Sequence, residues 1–334
     1  MRKIVLTLIA TVALLGCSDE PTPVAPDEQK AIGFGNVDTR AGLSDLQNEG
    51  FGVWAVVSND ILTSHVLMDN CEVTFDTTTS KWVYSPVKYW IDNSVFTFLA
   101  AYPYNNSNFS CDTDSKTIML TVVDTPSEVD YLYATNVTDT GVEDYSKEVP
   151  LQFHHALTSV GLNIWRDEAK HTNDQMRVRK VTLSNIRMKG TGTFPTDTNS
   201  NSWVYTNDKL TLVYTNDEVA DDDNIGAAMV KDDGALETSG IPAKPFDGVM
   251  LLPQTLDADN NVSLKIVYEL KRQNAADWEE AELETVLPSM TWGAGKRYTY
   301  NVVLSSVTDI TVYYIQTKVD PWGTPQVGGT VIIK

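Results

Sequence analysis

The sequence predicts an all-β protein, and two observations support this prediction. Short runs rich in β-branched and aromatic residues recur along the chain, separated by clusters of Asn, Asp, Gly, Pro, Ser and Thr. No series of helical patterns falls between these runs, as it would in a parallel α/β sheet. Strands of this length and spacing are typical of antiparallel β-sandwiches.

The N-terminus has the features of a bacterial lipoprotein signal peptide. Arg2 and Lys3 precede an apolar run at residues 4–15, and Gly16 and Cys17 follow it. At about 12 residues the run is shorter than the roughly 20 that a membrane-spanning helix needs. We therefore expect cleavage before Cys17 and lipidation of that cysteine, so that residues 1–17 are a signal peptide. Apart from this covalent lipid we predict no cofactor.

Residues 18–40 are interpreted as a linker followed by a removable strand. The linker, 21–29, is rich in Pro and acidic residues and has too little apolar surface to fold by itself. Ile32 and Phe34 are two residues apart, so they point to the same face of a short strand.

A candidate protease site follows that strand by a few positions, where the basic residue Arg40 precedes Ala41. A trypsin-like protease cutting there would release the strand and leave a groove with unpaired backbone groups. A strand from another molecule would fit such a groove. The alternative is that the segment is a flexible tether and Arg40 an ordinary solvated arginine.

Further strands are predicted wherever a β-rich run lies between turn residues. A capping box at residues 44–47 predicts one helical turn before the first of them. The predicted strands are 51–57, 71–75, 81–84, 95–102, 117–123, 131–134, 149–153, 157–165, 178–186, 203–205, 210–214, 249–252, 262–270, 298–304 and 310–315.

The segments between these strands suggest two domains. A polar, acidic stretch at 138–147 ends a first domain at 41–147, and a second domain covers 148–334. Within the second domain, residues 216–245 are predicted to be an acidic loop. Residues 274–282 are the only other helix candidate, and we favour the alternative that they are a polar turn between two strands.

The composition excludes some partners. With 25 Lys and Arg against 45 Asp and Glu, the net charge is −20, which argues against nucleic acid as a partner. In an oxidising compartment, Cys71 and Cys111 could form a disulfide that closes a loop of about 40 residues. We favour the alternative in which Cys71 is unpaired on an apolar strand face.

No enzyme is predicted, because the sequence lacks the usual catalytic motifs. It contains no Gly-x-Ser-x-Gly, His-Glu-x-x-His, Cys-x-x-Cys or phosphate loop. His154 and His155 are adjacent, so they point to opposite faces of a strand and cannot share a metal. The aspartates at 221–223 and 232–233 lack the spacing of a calcium loop, so no metal site is predicted.

Several segments, taken in order, match a known pattern. They are the lipobox ending at Cys17, Thr39-Arg40-Ala41, Phe51-Gly52-Val53-Trp54-Ala55, the run from Phe96 through Pro103 to Tyr104, Asp130-Tyr131-Leu132-Tyr133-Ala134, Phe153-His154-His155-Ala156-Leu157, Leu251-Leu252-Pro253-Gln254, Trp292-Gly293-Ala294-Gly295 and Val319-Asp320-Pro321-Trp322. In these segments the chain resembles the fimbrillin-like family, the lipoprotein precursors of type V pili.

The resemblance implies two tandem transthyretin-like β-sandwich domains and a subunit of a cell-surface fimbria that contributes to adhesion. It further implies a lipidated precursor at the outer membrane, cleavage by a trypsin-like protease after Arg40, and donor-strand exchange with other pilus subunits. The candidate donor is the C-terminal segment, in which Val331 and Ile333 share a strand face. Pairing of this segment within its own domain is the alternative.

A second hypothesis is a surface carbohydrate-binding or anchor lipoprotein that does not polymerise. Trp82, Trp90 and Trp203 are the aromatic side chains that would supply a sugar platform. Packing of such side chains on an apolar sheet face is the interpretation we favour.

Overall fold

Backbone pairing places most of the described residues in β-strands. A computed structural model describes residues 30–39, 43–61, 63–127, 129–142, 145, 147–197, 200–216, 224–231, 235–305 and 310–318. These residues contain 23 strands and one α-helix, which confirms the all-β class.

The elements are numbered in chain order. They are β1 Phe34–Thr39, α1 Leu43–Glu49, β2 Phe51–Ser58, β3 His65–Asp76, β4 Lys81–Val83, β5 Val95–Tyr102, β6 Phe109–Asp112, β7 Thr117–Val122, β8 Leu132–Asp139, β9 Val149–His155, β10 Thr158–Asp167, β11 Gln175–Arg187, β12 Gly190–Pro195, β13 Ser202–Tyr205, β14 Lys209–Thr215, β15 Ala227–Val230, β16 Leu236–Ser239, β17 Ala243–Leu251, β18 Gln254–Leu256, β19 Ser263–Lys271, β20 Glu279–Val286, β21 Met290–Trp292, β22 Lys296–Leu304 and β23 Ile310–Lys318.

The first half of the chain is built on a seven-stranded sheet in the order β1-β9-β8-β5-β2-β3-β4. Its central strands β2 and β5 carry nearly continuous apolar runs, because both faces of the sheet are covered. On one face, Phe98 joins a core that also contains Phe34, Phe51 and Phe153. On the other face, Leu99 belongs to a second core.

The second half of the chain has two sheets that enclose a third core. One sheet has the order β16-β15-β10-β22-β23, with β17 also paired to β10, and the other has the order β14-β11-β19-β20. Alternating residues of β11 and β19 are buried, which is the pattern of a sheet with one face toward the core. Trp292 is fully buried there, and its indole N–H donates a hydrogen bond of 2.9 Å to the Tyr300 hydroxyl.

A small sheet joins residues from the two halves. Its order is β13-β12-β7-β6, and β12 pairs with β7 from Gly190 opposite Val122 to Pro195 opposite Thr117. The core beneath it includes Trp54 and Leu99 from the first half and Phe194 from the second. The predicted domain boundary between 147 and 148 stays a prediction.

Some elements differ from the sequence-based expectation. The predicted loop at 216–245 contains β15 and β16, and β20 begins inside the predicted turn at 274–282. β20 lies at the edge of its sheet and buries only Leu283, so it lacks the apolar signal of a strand. The helical turn predicted at 44–47 lies within α1, which ends at Glu49. Gly50 follows the helix with φ +74°, and its N–H donates to the Leu46 carbonyl oxygen at 2.9 Å.

Candidate functional site: the slot of the N-terminal strand

The segment at 30–39 lies in a slot between two other parts of the chain. On one side, β1 runs parallel to β9, with Phe34 opposite Val149 and Thr39 opposite Phe153. The Val149 N–H donates a hydrogen bond of 2.7 Å to the carbonyl oxygen of Gly33, just before β1 begins.

The second side of the slot is formed by residues 88–90. The Ile32 N–H donates to the Lys88 carbonyl oxygen at 2.9 Å, and the Trp90 N–H donates to the Lys30 carbonyl oxygen at 3.0 Å. Ala31 and Tyr89 form an antiparallel bridge between these bonds. The segment is therefore hydrogen-bonded along both edges.

Tyr84 adds a side-chain contact to the same backbone. Its hydroxyl donates a hydrogen bond of 2.7 Å to the Ile32 carbonyl oxygen. Burial raises the pKa of Tyr84, so the hydroxyl stays protonated and remains a donor at neutral pH. Both backbone groups of Ile32 thus have partners from the region between residues 84 and 88.

The inner face of the slot is apolar. Ile32 and Phe34 are each only 2% exposed, as the alternation in the sequence predicted for a shared strand face. The Phe34 ring lies 5.5 Å from the Tyr84 ring and 5.9 Å from the Phe98 ring, both edge to face. Such edge-to-face contacts are favourable in addition to the area they bury.

The outer face of the slot is covered by one side chain. Gly33 and Gly35 alternate with the large residues Ile32 and Phe34. A side chain at either glycine would be directed outward, toward Glu148, which precedes β9. A Cβ atom at position 35 would lie 1.8 Å from Glu148 Oε2 and 2.7 Å from Glu148 Cβ, whereas one at position 33 would lie 3.3 Å from Glu148 Cγ. The glycines therefore allow β1 to pass beneath Glu148.

Comparison with known proteins identifies the family. A model of the family described as fimbrillin-like matches residues 39–322. The chain belongs to the fimbrillin-like family. No curated protein matches this chain in sequence.

Two solved structures show the same fold. A fimbrial protein from Bacteroides vulgatus aligns with a TM-score of 0.60 and 17% identity, over 86% of this chain and 99% of that one. A candidate cell adhesion protein from Bacteroides uniformis aligns with a TM-score of 0.50 and 16% identity, over 87% and 98% of the respective chains.

Several site predictions for this fimbrillin-like chain fall outside the described residues. These are the lipidation site Cys17, the processing site at Arg40 and Ala41, and the candidate donor residues Val331 and Ile333. Arg40 and Ala41 belong to the three-residue connection, 40–42, between β1 and α1. All of these assignments stay predictions.

The tryptophans proposed for a sugar platform pack against core side chains. Trp90 is only 8% exposed, and Trp82 lies with its ring 5.0 Å from that of Phe51. Trp203 is half-buried, with its ring 5.9 Å from that of Phe194. This arrangement agrees with the apolar-face interpretation of the tryptophans in this fimbrillin-like chain.

The two cysteines and the candidate metal ligands are the remaining groups that were considered for reactivity or metal binding. Cys71 and Cys111 are free thiols, and burial raises the pKa of Cys111 to about 12. Among the described residues, no group of three or more His, Cys, Asp or Glu side chains is placed to hold a metal. The aspartates considered for calcium lie outside the described residues.

The only α-helix in the described part, α1, has seven residues and cannot cross a membrane.

In this fimbrillin-like chain, the sequence predicted the strand that contains Ile32 and Phe34, but it did not predict which residues form the two sides of the slot around it. Tyr84, Tyr89 and Trp90 lie close together in the sequence, and this aromatic run was the available signal for one wall. Nothing local marked Glu148 or Val149 as neighbours of β1, because they follow it by more than 100 positions.

Proposed function

We propose that this chain is a structural subunit of a cell-surface fimbria that polymerises when a neighbouring subunit's strand replaces its own N-terminal strand. One observation supports this proposal above the others. The segment at 30–39 fills a slot bounded on both sides by backbone, and only residues 40–42 connect it to the rest of the fold. A cut after Arg40 would free the strand from α1.

Loss of the strand would expose groups that need a replacement. The Lys88 carbonyl oxygen and the N–H groups of Trp90 and Val149 would lose their partners, each worth about 0.5–1.5 kcal/mol net. The inner pockets would lose Ile32 and Phe34, each worth roughly 1.5–3 kcal/mol through burial. A donor strand with matching alternation restores both kinds of contact, as in other strand-addition complexes.

The precursor in this proposal is a lipoprotein. Acylation of Cys17 holds it at the outer membrane, and a trypsin-like protease cuts between Arg40 and Ala41 before assembly. The partners are other pilus subunits, with the segment containing Val331 and Ile333 as the candidate donor. The assembled fimbria contributes to adhesion and involves no catalysis by this chain.

Limited trypsin digestion of residues 18–334, prepared without lipid, tests the proposal. Intact mass and size-exclusion chromatography are measured before and after digestion. We expect one early cut giving a new N-terminus at Ala41, followed by high-mass oligomers.

The control is Arg40→Ala, which removes the proposed site and leaves the other basic residues in place. It should stay uncut at that position and remain monomeric. Oligomers of the same size from Arg40→Ala, or a cut chain that stays monomeric at high concentration, would reject cleavage as the trigger of assembly.

A further inference from the structure

We propose that Glu148 makes the slot selective for a donor strand that has glycine at the position of Gly35. The selectivity rests on the proposed function, because it describes which strand the vacated slot accepts. The occupant is a strand of a different pilus subunit with the pattern large apolar, small, large apolar, glycine, running in the direction of β1. The C-terminal segment of a second copy does not have this pattern, because Val331 and Ile333 in the two inner sites would place Lys334 at the position of Gly35. That segment is therefore the candidate donor for the slot of another subunit.

Backbone contacts do not distinguish one strand from another. The bonds from Lys88, Trp90 and Val149 all reach main-chain groups, and the Tyr84 hydroxyl binds a carbonyl oxygen. Any extended segment offers these groups at the same spacing. Sequence discrimination must therefore come from the two faces of the strand.

The inner face selects large apolar side chains. The sites of Ile32 and Phe34 are almost completely buried, and the second is bounded by the rings of Tyr84 and Phe98. A small residue in either site would leave a cavity, and a polar one would lack a partner.

The outer face selects against side chains, and the selection is strongest at position 35. Glu148 is an exposed residue, so its carboxylate can rotate away from Gly35 into solvent, which relieves the 1.8 Å contact with Oε2. The 2.7 Å contact with Glu148 Cβ remains, because that atom moves only with the backbone leading into β9. At position 33 the nearest contact is 3.3 Å from Cγ, so a small side chain is accommodated by a minor shift.

Peptide binding to the cut chain measures this selectivity. The unlipidated chain, residues 18–334, is cut after Arg40, and the released fragment is removed by chromatography in mild denaturant. The remaining chain is then titrated, at a concentration at which it is monomeric, with a fluorescent peptide of residues 30–39, and the dissociation constant is obtained by anisotropy. Three altered peptides are compared with it: Gly35→Val, Gly33→Ala and Phe34→Ala. We expect Gly35→Val to bind at least tenfold more weakly, Gly33→Ala within threefold of the original, and Phe34→Ala at least tenfold more weakly.

Substitutions of Glu148 in the protein separate size from charge. Glu148→Gln keeps the length of the side chain and should leave the penalty for the Gly35→Val peptide unchanged. Glu148→Ala keeps Cβ and should recover part of the binding, whereas Glu148→Gly should recover most of it. Lys147→Ala, at an exposed neighbouring position, is the control and should change nothing. Thermal unfolding of each variant confirms that it is folded. If Glu148→Gly does not fold, the comparison of Glu148→Ala with the wild-type protein is sufficient to test the role of side-chain size.

The outcomes distinguish this selectivity from the proposed function. If the original peptide binds and Gly35→Val binds equally well, the role of Glu148 is rejected while strand exchange stands. If Phe34→Ala has no effect, the peptide is not in the slot, and the selectivity is rejected as well. If the original peptide fails to bind the cut chain, the slot does not accept a strand, and the proposed function fails with it.

Discussion

Ile32 shows how much of the slot depends on one residue. Its side chain is 2% exposed, its N–H pairs with Lys88, and its carbonyl oxygen accepts a hydrogen bond from Tyr84. The residue therefore contributes burial on one face of the strand and backbone bonding along its edge. Only the first contribution depends on the identity of the side chain.

A matched pair of substitutions measures that contribution. Ile32→Ala should lower the free energy of unfolding of the uncut chain by about 2–5 kcal/mol, because the buried side chain leaves a cavity. Ile61→Ala removes the same atoms at a position that is 90% exposed and should change stability by less than about 0.5 kcal/mol. Urea unfolding followed by tryptophan fluorescence provides the measurement. Equal effects of the two substitutions would show that the slot does not bury Ile32 in solution.

At the scale of elements, the connection between β10 and β11 is fixed to the end of β22. His171 is 7% exposed; its Nδ1 lies 2.9 Å from Asp174 Oδ2, and its Nε2 lies 3.2 Å from the Ser305 carbonyl oxygen. The other oxygen of Asp174 accepts a hydrogen bond of 2.9 Å from the Gln273 N–H. One carboxylate thus joins this connection to the end of β19.

These contacts set the direction of the Asp174 pKa. Burial by itself would raise the pKa, but the hydrogen bonds from His171 and Gln273 outweigh it, and the pKa of Asp174 is lowered. A lowered pKa contributes stability that is present above the unfolded value, about 3.9, and is lost as the pH falls through the folded value.

Asp174→Asn should therefore destabilise the chain at pH 7, and the difference from wild type should shrink below about pH 4. Chemical denaturation at a series of pH values gives the two stability curves. Asp208→Asn, at an exposed position, is the control and should follow the wild-type curve. A constant difference between Asp174→Asn and wild type across this range would contradict the assigned role of the carboxylate.

Elements also differ in how well their sequence predicts them. β5 was predicted with its exact bounds, because both of its faces are buried and only Thr97, itself buried, interrupts its apolar run. β20 was assigned in part to a turn, because an edge strand with acidic residues has no apolar alternation. Its strand structure depends on pairing with β19, from Ser263 opposite Val286 to Leu270 opposite Glu279. That pairing is a tertiary contact and leaves no local signal.

At the scale of the whole molecule, the sheet formed by β13, β12, β7 and β6 connects the two halves. Leu120 of β7 is fully buried in the core beneath this sheet, together with Phe194 of β12 and Leu252. Strands from both halves also pair directly there. We therefore expect the two halves to unfold together.

Leu120→Ala should reduce the free energy of unfolding by about 2–5 kcal/mol through the cavity it leaves. Hydrogen exchange should show the loss in β5 of the first half and in β11 of the second. Val204→Ala, on the same sheet but 70% exposed, should leave exchange unchanged. Protection lost in only one half would mean that the halves unfold independently.

The sequence by itself determined the all-β class, most of the central strands and the inward face of the N-terminal strand. These properties follow from local alternation and from turn residues, which act over a few positions. Only the tertiary structure decided what surrounds that strand. Tyr84 lies 52 positions from Ile32, and Glu148 lies farther still, so no local pattern relates them. The walls of the slot are made by long-range pairing, and the requirement for glycine at position 35 appears only when β9 brings Glu148 over it.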